Sequence, residues 1–228
     1  MRMQYREILK KLKSLSNPKA VEGMARFGII VKNAYGVFIP HLRKMAKEIG
    51  KNHELAEQLW KSGIHEARLL AGMIDDPKVV TEEQLERWVK DFYSWDMCDQ
   101  CCSKLFDKTG FAYRKAVEWS RREEEFVKRA GFVLMACFDV HDKKAKDKQF
   151  EKLFPIIKSE ATDDRKFVKK AVNWALRQIG KRNFKLNRMA IKTAEEIIKI
   201  DSKSARWIAT DALRELGSQT VQRRLKGK

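Results

Sequence analysis

Four stretches spaced along the chain share one pattern, and that pattern restricts the fold more than any other feature. They are Glu66-Ala67-Arg68-Leu69-Leu70-Ala71-Gly72-Met73, Val127-Lys128-Arg129-Ala130-Gly131-Phe132-Val133-Leu134, Val168-Lys169-Lys170-Ala171-Val172-Asn173-Trp174-Ala175 and Ala205-Arg206-Trp207-Ile208-Ala209-Thr210-Asp211-Ala212. Anchored on Arg68, Arg129, Lys170 and Arg206, they lie 61, 41 and 36 residues apart. The last two separations match the length of two-helix solenoid repeats, and the first leaves room for one divergent repeat around Trp95. A lone helix pair cannot bury its apolar face, so neighbours are expected to stack into a curved superhelix with a concave inner face. The second helices of successive pairs would line that concavity.

Composition agrees with an all-α chain. Only 11 Gly and 4 Pro interrupt 228 residues, and no long β-branched alternating runs occur. No apolar run approaches the roughly 20 residues needed to span a bilayer. The start, Met1-Arg2-Met3-Gln4-Tyr5-Arg6-Glu7, lacks the apolar segment of a signal peptide, which predicts an intracellular, cytoplasmic protein. Lys+Arg 49 against Asp+Glu 31 gives a net charge of +18. An excess of that size, spread over a globular sequence, points to a polyanionic partner, with nucleic acid first and an anionic membrane surface second. No helix carries the aromatic and basic pattern of an interfacial anchor, which weakens the membrane reading.

The four cysteines, Cys98, Cys101, Cys102 and Cys137, are expected to be reduced inside a cell. A zinc site could be assembled on paper from them with His141, but structural zinc needs paired ligands from two turns or loops. Three of these cysteines fall within five residues of one helix, so buried small hydrophobes are the better reading, and no metal or cofactor is expected.

Helical patterning divides the chain as follows. A helix over about Tyr5–Leu15 breaks at Asn17-Pro18, a short run starts at Lys19, and Gly28, Asn33 and Gly36 mark a loop. Further helices are predicted from Pro40 to Ile49, His53 to Lys61, His65 to Ile74 and, behind the capping box Thr81-Glu82-Glu83-Gln84, to about Phe92. Later ones fall near 111–121, 123–138, 149–160, 164–181, 184–200 and 203–217. The Asp139–Lys148 stretch is predicted to be a solvated loop that opens the next helix, and within the basic tail 218–228 the segment Gln222–Lys228 is predicted to fray. The whole of 1–228 is expected to form a single repeat domain with divergent N-terminal helices over 1–36.

The chemistry-bearing stretch is Ser94-Trp95-Asp96-Met97-Cys98-Asp99-Gln100. Ser94 is a candidate N-cap with two acids close behind it. Trp95 and Asp99, four residues apart, share one helix face. An aromatic surface beside a carboxylate suits a flat substrate that is cationic or becomes so during reaction. A core tryptophan and an exposed first-turn acid would leave the same residues. His65-Glu66 has an acid–base look, but at a helix start a cap or structural hydrogen bond competes with that role. Trp60, Trp88, Trp119 and Trp207 are expected in the core.

An ordered set of segments resembles the AlkD-like DNA alkylation repair glycosylases, a family built from HEAT-like repeats. The set comprises Tyr35-Gly36-Val37-Phe38-Ile39-Pro40-His41-Leu42-Arg43-Lys44-Met45-Ala46-Lys47, Leu59-Trp60-Lys61-Ser62-Gly63-Ile64-His65-Glu66-Ala67-Arg68, the Ser94 to Asp99 stretch, Arg129-Ala130-Gly131-Phe132-Val133-Leu134 and Val172-Asn173-Trp174-Ala175-Leu176-Arg177. By motif, the family's two cleft tryptophans, aspartate and arginine fall on Trp95, Trp174, Asp99 and Arg129. The resemblance implies an all-α superhelix with a concave basic groove, working as a monofunctional glycosylase without a base-specific pocket. It implies a substrate of double-stranded DNA containing purines alkylated at N3 or N7, a monomeric state, and association with the nucleoid when bound. Lys170 and Arg177, one turn either side of Trp174, are phosphate-contact candidates together with Arg129. Two other readings stay open: a relative that binds DNA of unusual structure without excision, and a HEAT-like scaffold for a protein partner. The charge argues against the scaffold, whose groove should carry exposed apolar anchors.

Overall fold

A computed structural model describes residues 3–30 and 32–227. Met1, Arg2 and Lys228, which belong to the predicted N-terminal segment and tail, lie outside the described residues, as does Val31. The described chain is helical, without strands, and divides into two compact units, Met1–Gly110 and Phe111–Lys228.

The first unit holds α1 (Tyr5–Ser14), α2 (Pro18–Arg26), α3 (Ile39–Ile49), α4 (His53–Lys61), α5 (His65–Ile74), α6 (Glu82–Lys90) and α7 (Trp95–Lys104). Several starts follow directly from side chains. Asn17, Asn52 and Thr81 accept from the backbone N–H groups of Ala20, Leu55 and Gln84, satisfying donors that a helix leaves open at its first turn. The unit is organised on α5, which contacts α1, α3, α4 and α7. That central position explains why α5 is buried nearly all round, including His65 and Glu66. Beside it, the indoles of Trp60 and Trp88 stack with centroids 3.9 Å apart and planes 4° from parallel. Such a pair contributes about 1 kcal/mol beyond its buried area.

The second unit holds α8 (Ala112–Trp119), α9 (Glu125–His141), α10 (Asp147–Glu151), α11 (Phe154–Ser159), α12 (Lys166–Ile179), α13 (Phe184–Ile197), α14 (Lys203–Leu216) and α15 (Gln219–Lys226). Here α9 takes the central place, packed between α8 and α12, and an unbroken run from Val127 to Asp139 is buried. Gly131 is required by that packing: a Cβ there would sit 2.5 Å from the Ser120 nitrogen and 2.9 Å from the Ala116 carbonyl oxygen. The backbones of α8 and α9 touch where only glycine fits.

Three expectations are corrected. Asp139 does not open a solvated loop: α9 continues to His141, and Asp139 is buried. Arg182 ties the following turn down by donating to the carbonyls of Asp139, Asp142, Lys143 and Ala145. A run of local charges could not announce a clamp some forty residues away. The tail does not fray as far as Gly227. Ser218 caps α15, Val221 and Leu225 are buried, and Gln222 Nε2 donates to Asn187 and to the Leu216 carbonyl. Trp207 is 41% exposed, not core. It lies off the α14 face made by Ala205, Ile208, Ala209 and Ala212, and Lys169 Nζ rests 5.3 Å from its ring centre.

Candidate nucleic-acid interface and active site

In the first unit, α7 presents two contrasting faces. Met97, Cys98, Cys101 and Cys102 are fully buried, while Trp95, Asp96, Asp99 and Gln100 are half-buried. Trp95 and Asp99 therefore share the face that is open in part, as their spacing requires. The Trp95 indole N–H donates to the Phe27 carbonyl at 3.0 Å, which fixes the ring's direction. Ser94 stands at the N-cap with φ −147° and ψ 152°, but its hydroxyl makes no cap hydrogen bond.

The first turn of α7 is held instead by a polar chain that the sequence did not single out as a unit. His65 of α5 meets Asp96 Oδ2 through Nε2 at 2.9 Å and the Tyr93 hydroxyl through Nδ1 at 3.0 Å. Burial alone would raise Asp96, but the hydrogen bond and charge of His65 outweigh it and hold the carboxyl below its ordinary range. Burial pushes the Tyr93 phenol well above its usual value. The available signal was the His65-Glu66 pair opening a helix that is apolar from Leu69 onward. Its neighbour Glu66 makes structural hydrogen bonds: Oε2 accepts from the Tyr35 N–H at 2.9 Å, and Oε1 from those of Gly36 and Val37 at 2.6 and 3.3 Å.

In the second unit, α9 and α12 pack on each other and carry the remaining candidates. Arg129 is buried on α9, and its Nη1 donates to the Phe167 carbonyl at 2.6 Å, at the start of α12. Trp174 is half-buried, off the α12 face formed by Val168, Ala171, Val172, Ala175 and Leu176. Lys170 is exposed and makes no ion pair among the described residues. Arg177 differs: its guanidinium pairs with Glu215 and lies 3.3 Å from Asp211. The two phosphate candidates on α12 thus start from different states, one cation solvated and the other already countered.

Comparison with known proteins places this geometry in context. The family model described as "DNA alkylation repair enzyme" matches residues 8–216. Two curated relatives are similar over 126 residues, 54% of this chain. These are the uncharacterized protein Lin0241 of Listeria innocua, at 28% identity, and the uncharacterized protein Lmo0209 of Listeria monocytogenes, at 26%. The match spans about half of those relatives, 56% of each. A solved structure is similar with a TM-score of 0.77 at 22% identity, covering 94% of this chain and 97% of its own. It is described as representing a new family of proteins related to the HEAT-like repeat DNA glycosylases, with affinity for branched DNA structures. That likeness shows the fold: an all-α array of HEAT-like repeats.

Proposed function

Because the chain belongs to the DNA alkylation repair enzyme family, we propose that it is a monofunctional DNA glycosylase that removes cationic N3- or N7-alkylated purines from duplex DNA. The observation that carries this reading is the partly open face of α7, where Trp95 and Asp99 stand side by side above a wholly buried cysteine face. In this reading Trp95 and Asp99 are the first unit's site residues, and Arg129 and Trp174 are the second unit's.

An alkylated purine of this kind is positively charged, so its glycosidic bond is already weakened. The C1′–N bond breaks, the base leaves with the electron pair and becomes neutral, and positive charge passes to the sugar. The Asp99 carboxylate stabilises that sugar cation and orients the water whose oxygen bonds to C1′ while its proton is lost. The products are a free base and an abasic site. Trp95 and Trp174 offer π-faces or edges to the cationic nucleotide, about 1–2 kcal/mol each where water is excluded. Arg129 supplies positive charge toward the phosphate beside the lesion, and Lys170 and Arg177 toward its neighbours. Selection then rests on the lability of the bond and not on hydrogen-bond readout of the base.

The test is single-turnover release of base from methylated duplex DNA by Asp99→Asn. The substitution is nearly isosteric and removes only charge. It should slow excision about 10²-fold, roughly 3 kcal/mol, while DNA affinity holds. If excision and binding fall together, Asp99 is a structural residue; if neither changes, the catalytic centre lies elsewhere. A second reading, DNA binding without excision, is favoured by the affinity for branched DNA described for the solved relative. It would be adopted if the unaltered protein releases no base and binds a four-way junction in preference to linear duplex.

A further inference from the structure

Trp207 stands on α14 with 41% of its surface open, and the proposed mechanism does not use it. An indole left in water does not stabilise the fold, so its neighbours indicate what it meets. Those neighbours are cations. α12 and α14 pack side by side and run in the same direction. Asn173 Nδ2 donates to the Ile208 carbonyl, and Arg177, one turn on, reaches Asp211. Their N-terminal ends therefore lie together at one end of the second unit. There Lys169 Nζ is 5.3 Å from the Trp207 ring centre, and Lys166 Nζ is 5.5 Å from that of Phe167. Lys203 and Arg206, both exposed, flank Trp207 on the first turn of α14. The acids that precede the two helices do little to cancel this charge. Asp163 is held by Arg165 and Lys128, Asp164 is exposed, and Asp201 lies 3.6 Å from Arg206 with its side chain 99% exposed. A pair so open to water is weak.

An open aromatic face bordered by lysine and arginine suits a ligand that alternates flat rings with negative charges. An unpaired nucleotide is such a ligand: its base has a π-face free to stack, and its phosphates follow at short spacing. Inside a duplex the bases cover one another and present only their edges, so an indole finds nothing to stack on. An acidic protein would offer the charge without the ring. We propose that this end of the second unit binds an unpaired stretch of DNA. One base stacks on Trp207, and Lys169 and Arg206 meet the phosphates beside it. The choice of DNA over RNA rests on the reading above; the unpaired state does not.

Two variants separate the ring from mere apolar bulk. Trp207→Leu removes the π-face and Trp207→Phe keeps one, and at an exposed helix position both should fold, as circular dichroism checks. Anisotropy titrations of the full chain should use labelled oligothymidylate, which cannot pair with itself, a linear duplex, and heparin as a polyanion without bases. Trp207→Leu should weaken oligothymidylate binding about tenfold, Trp207→Phe should restore most of it, and duplex and heparin affinities should change by less than about twofold. The inference is overturned if the unaltered protein does not bind oligothymidylate or if Trp207→Leu binds it equally well. An equal loss for duplex or heparin would overturn it too, and tighter binding of oligouridylate would overturn the choice of DNA. Release of base from methylated linear duplex is scored separately and should be the same in Trp207→Leu. Loss of oligothymidylate binding in that variant, with no excision by the unaltered protein, keeps this site and removes the glycosylase reading. Excision with unchanged oligothymidylate binding does the reverse.

Discussion

The two units hold their buried acids by different means. In the first, carboxylates are met chiefly by neutral donors or histidine. Glu66 takes three backbone N–H groups, Asp96 takes His65, and Asp75 takes His53 at 2.8 Å, the Gln84 amide at 2.6 Å and the Asp76 N–H. In the second, acids are met by lysine and arginine across helices. Lys128 reaches Glu160 at 2.9 Å and Asp163 at 3.5 Å, Arg165 grips Asp163, and Arg177 and Lys181 share Glu215. The contrast shows where the chain spends its positive charge. The second unit consumes part of it as internal ties, so its basic count overstates the charge open to DNA. The first unit pairs Glu57 with Arg87 and Asp91 with Arg68, but its deepest acids, Glu66 and Asp75, draw their hydrogen bonds from backbone N–H groups, a histidine and an amide.

The largest expected effect follows from Glu66→Ala, which strands the N–H groups of Tyr35, Gly36 and Val37. Each unsatisfied buried donor costs ~1–3 kcal/mol, so stability should fall by about 4 kcal/mol, allowing for partial rehydration. Glu215→Ala, removing a partly exposed partner, should cost about 1 kcal/mol. Urea unfolding of both variants checks the ratio, and equal losses would erase the distinction between the units.

Acid sharpens the same contrast. Glu215 and Asp163 are held below their ordinary values despite burial, because Lys181 and Arg177, and Arg165, favour their charged forms. Their contribution is present above the unfolded values, 4.5 and 3.8, and is lost as pH falls through the lower folded values. In the first unit Asp96 behaves the same way, but burial raises Asp75, whose folded form gains as it protonates, so the two oppose. Hydrogen exchange below pH 4.5 should therefore show second-unit amides losing protection first. Earlier loss in the first unit would contradict it.

The smallest effect separates the two cations of α12. Lys170→Ala should lower the slope of log DNA affinity against log salt by about 0.9, the value for one phosphate contact. Arg177→Ala should lower it by less than half as much, since Glu215 and Asp211 already counter that charge. Equal changes would mean that the Arg177 pairs open on binding.

Much of the helix series was legible. Ser62-Gly63 and Asp76-Pro77 bracket α5 with local signals, and that helix falls where they put it. The inner-helix pattern anchored on Arg68, Arg129, Lys170 and Arg206 also lands on helices α5, α9, α12 and α14. What escaped was decided by distant or backbone partners. Nothing near Asp139 encodes the Arg182 clamp, and nothing near residue 221 encodes the Asn187 contact that orders α15. Glu66 could be read as structural but not as the acceptor for a loop thirty residues earlier, because backbone N–H groups carry no side-chain signature. For the site, spacing put Trp95 and Asp99 on one face. A cavity beside them depends on Phe27 and Phe38, on a loop between helices that no periodicity describes.

The parallel indoles of Trp60 and Trp88 carry a consequence for watching the molecule. Two chromophores stacked 3.9 Å apart couple their electronic transitions, giving the first unit a built-in exciton signal in circular dichroism. Trp95 and Trp174, half-buried, and the more exposed Trp207 stand outside that pair and report by emission on what touches them. One chain thus carries separate optical channels for the integrity of its core and for the occupancy of its surface, without any added label.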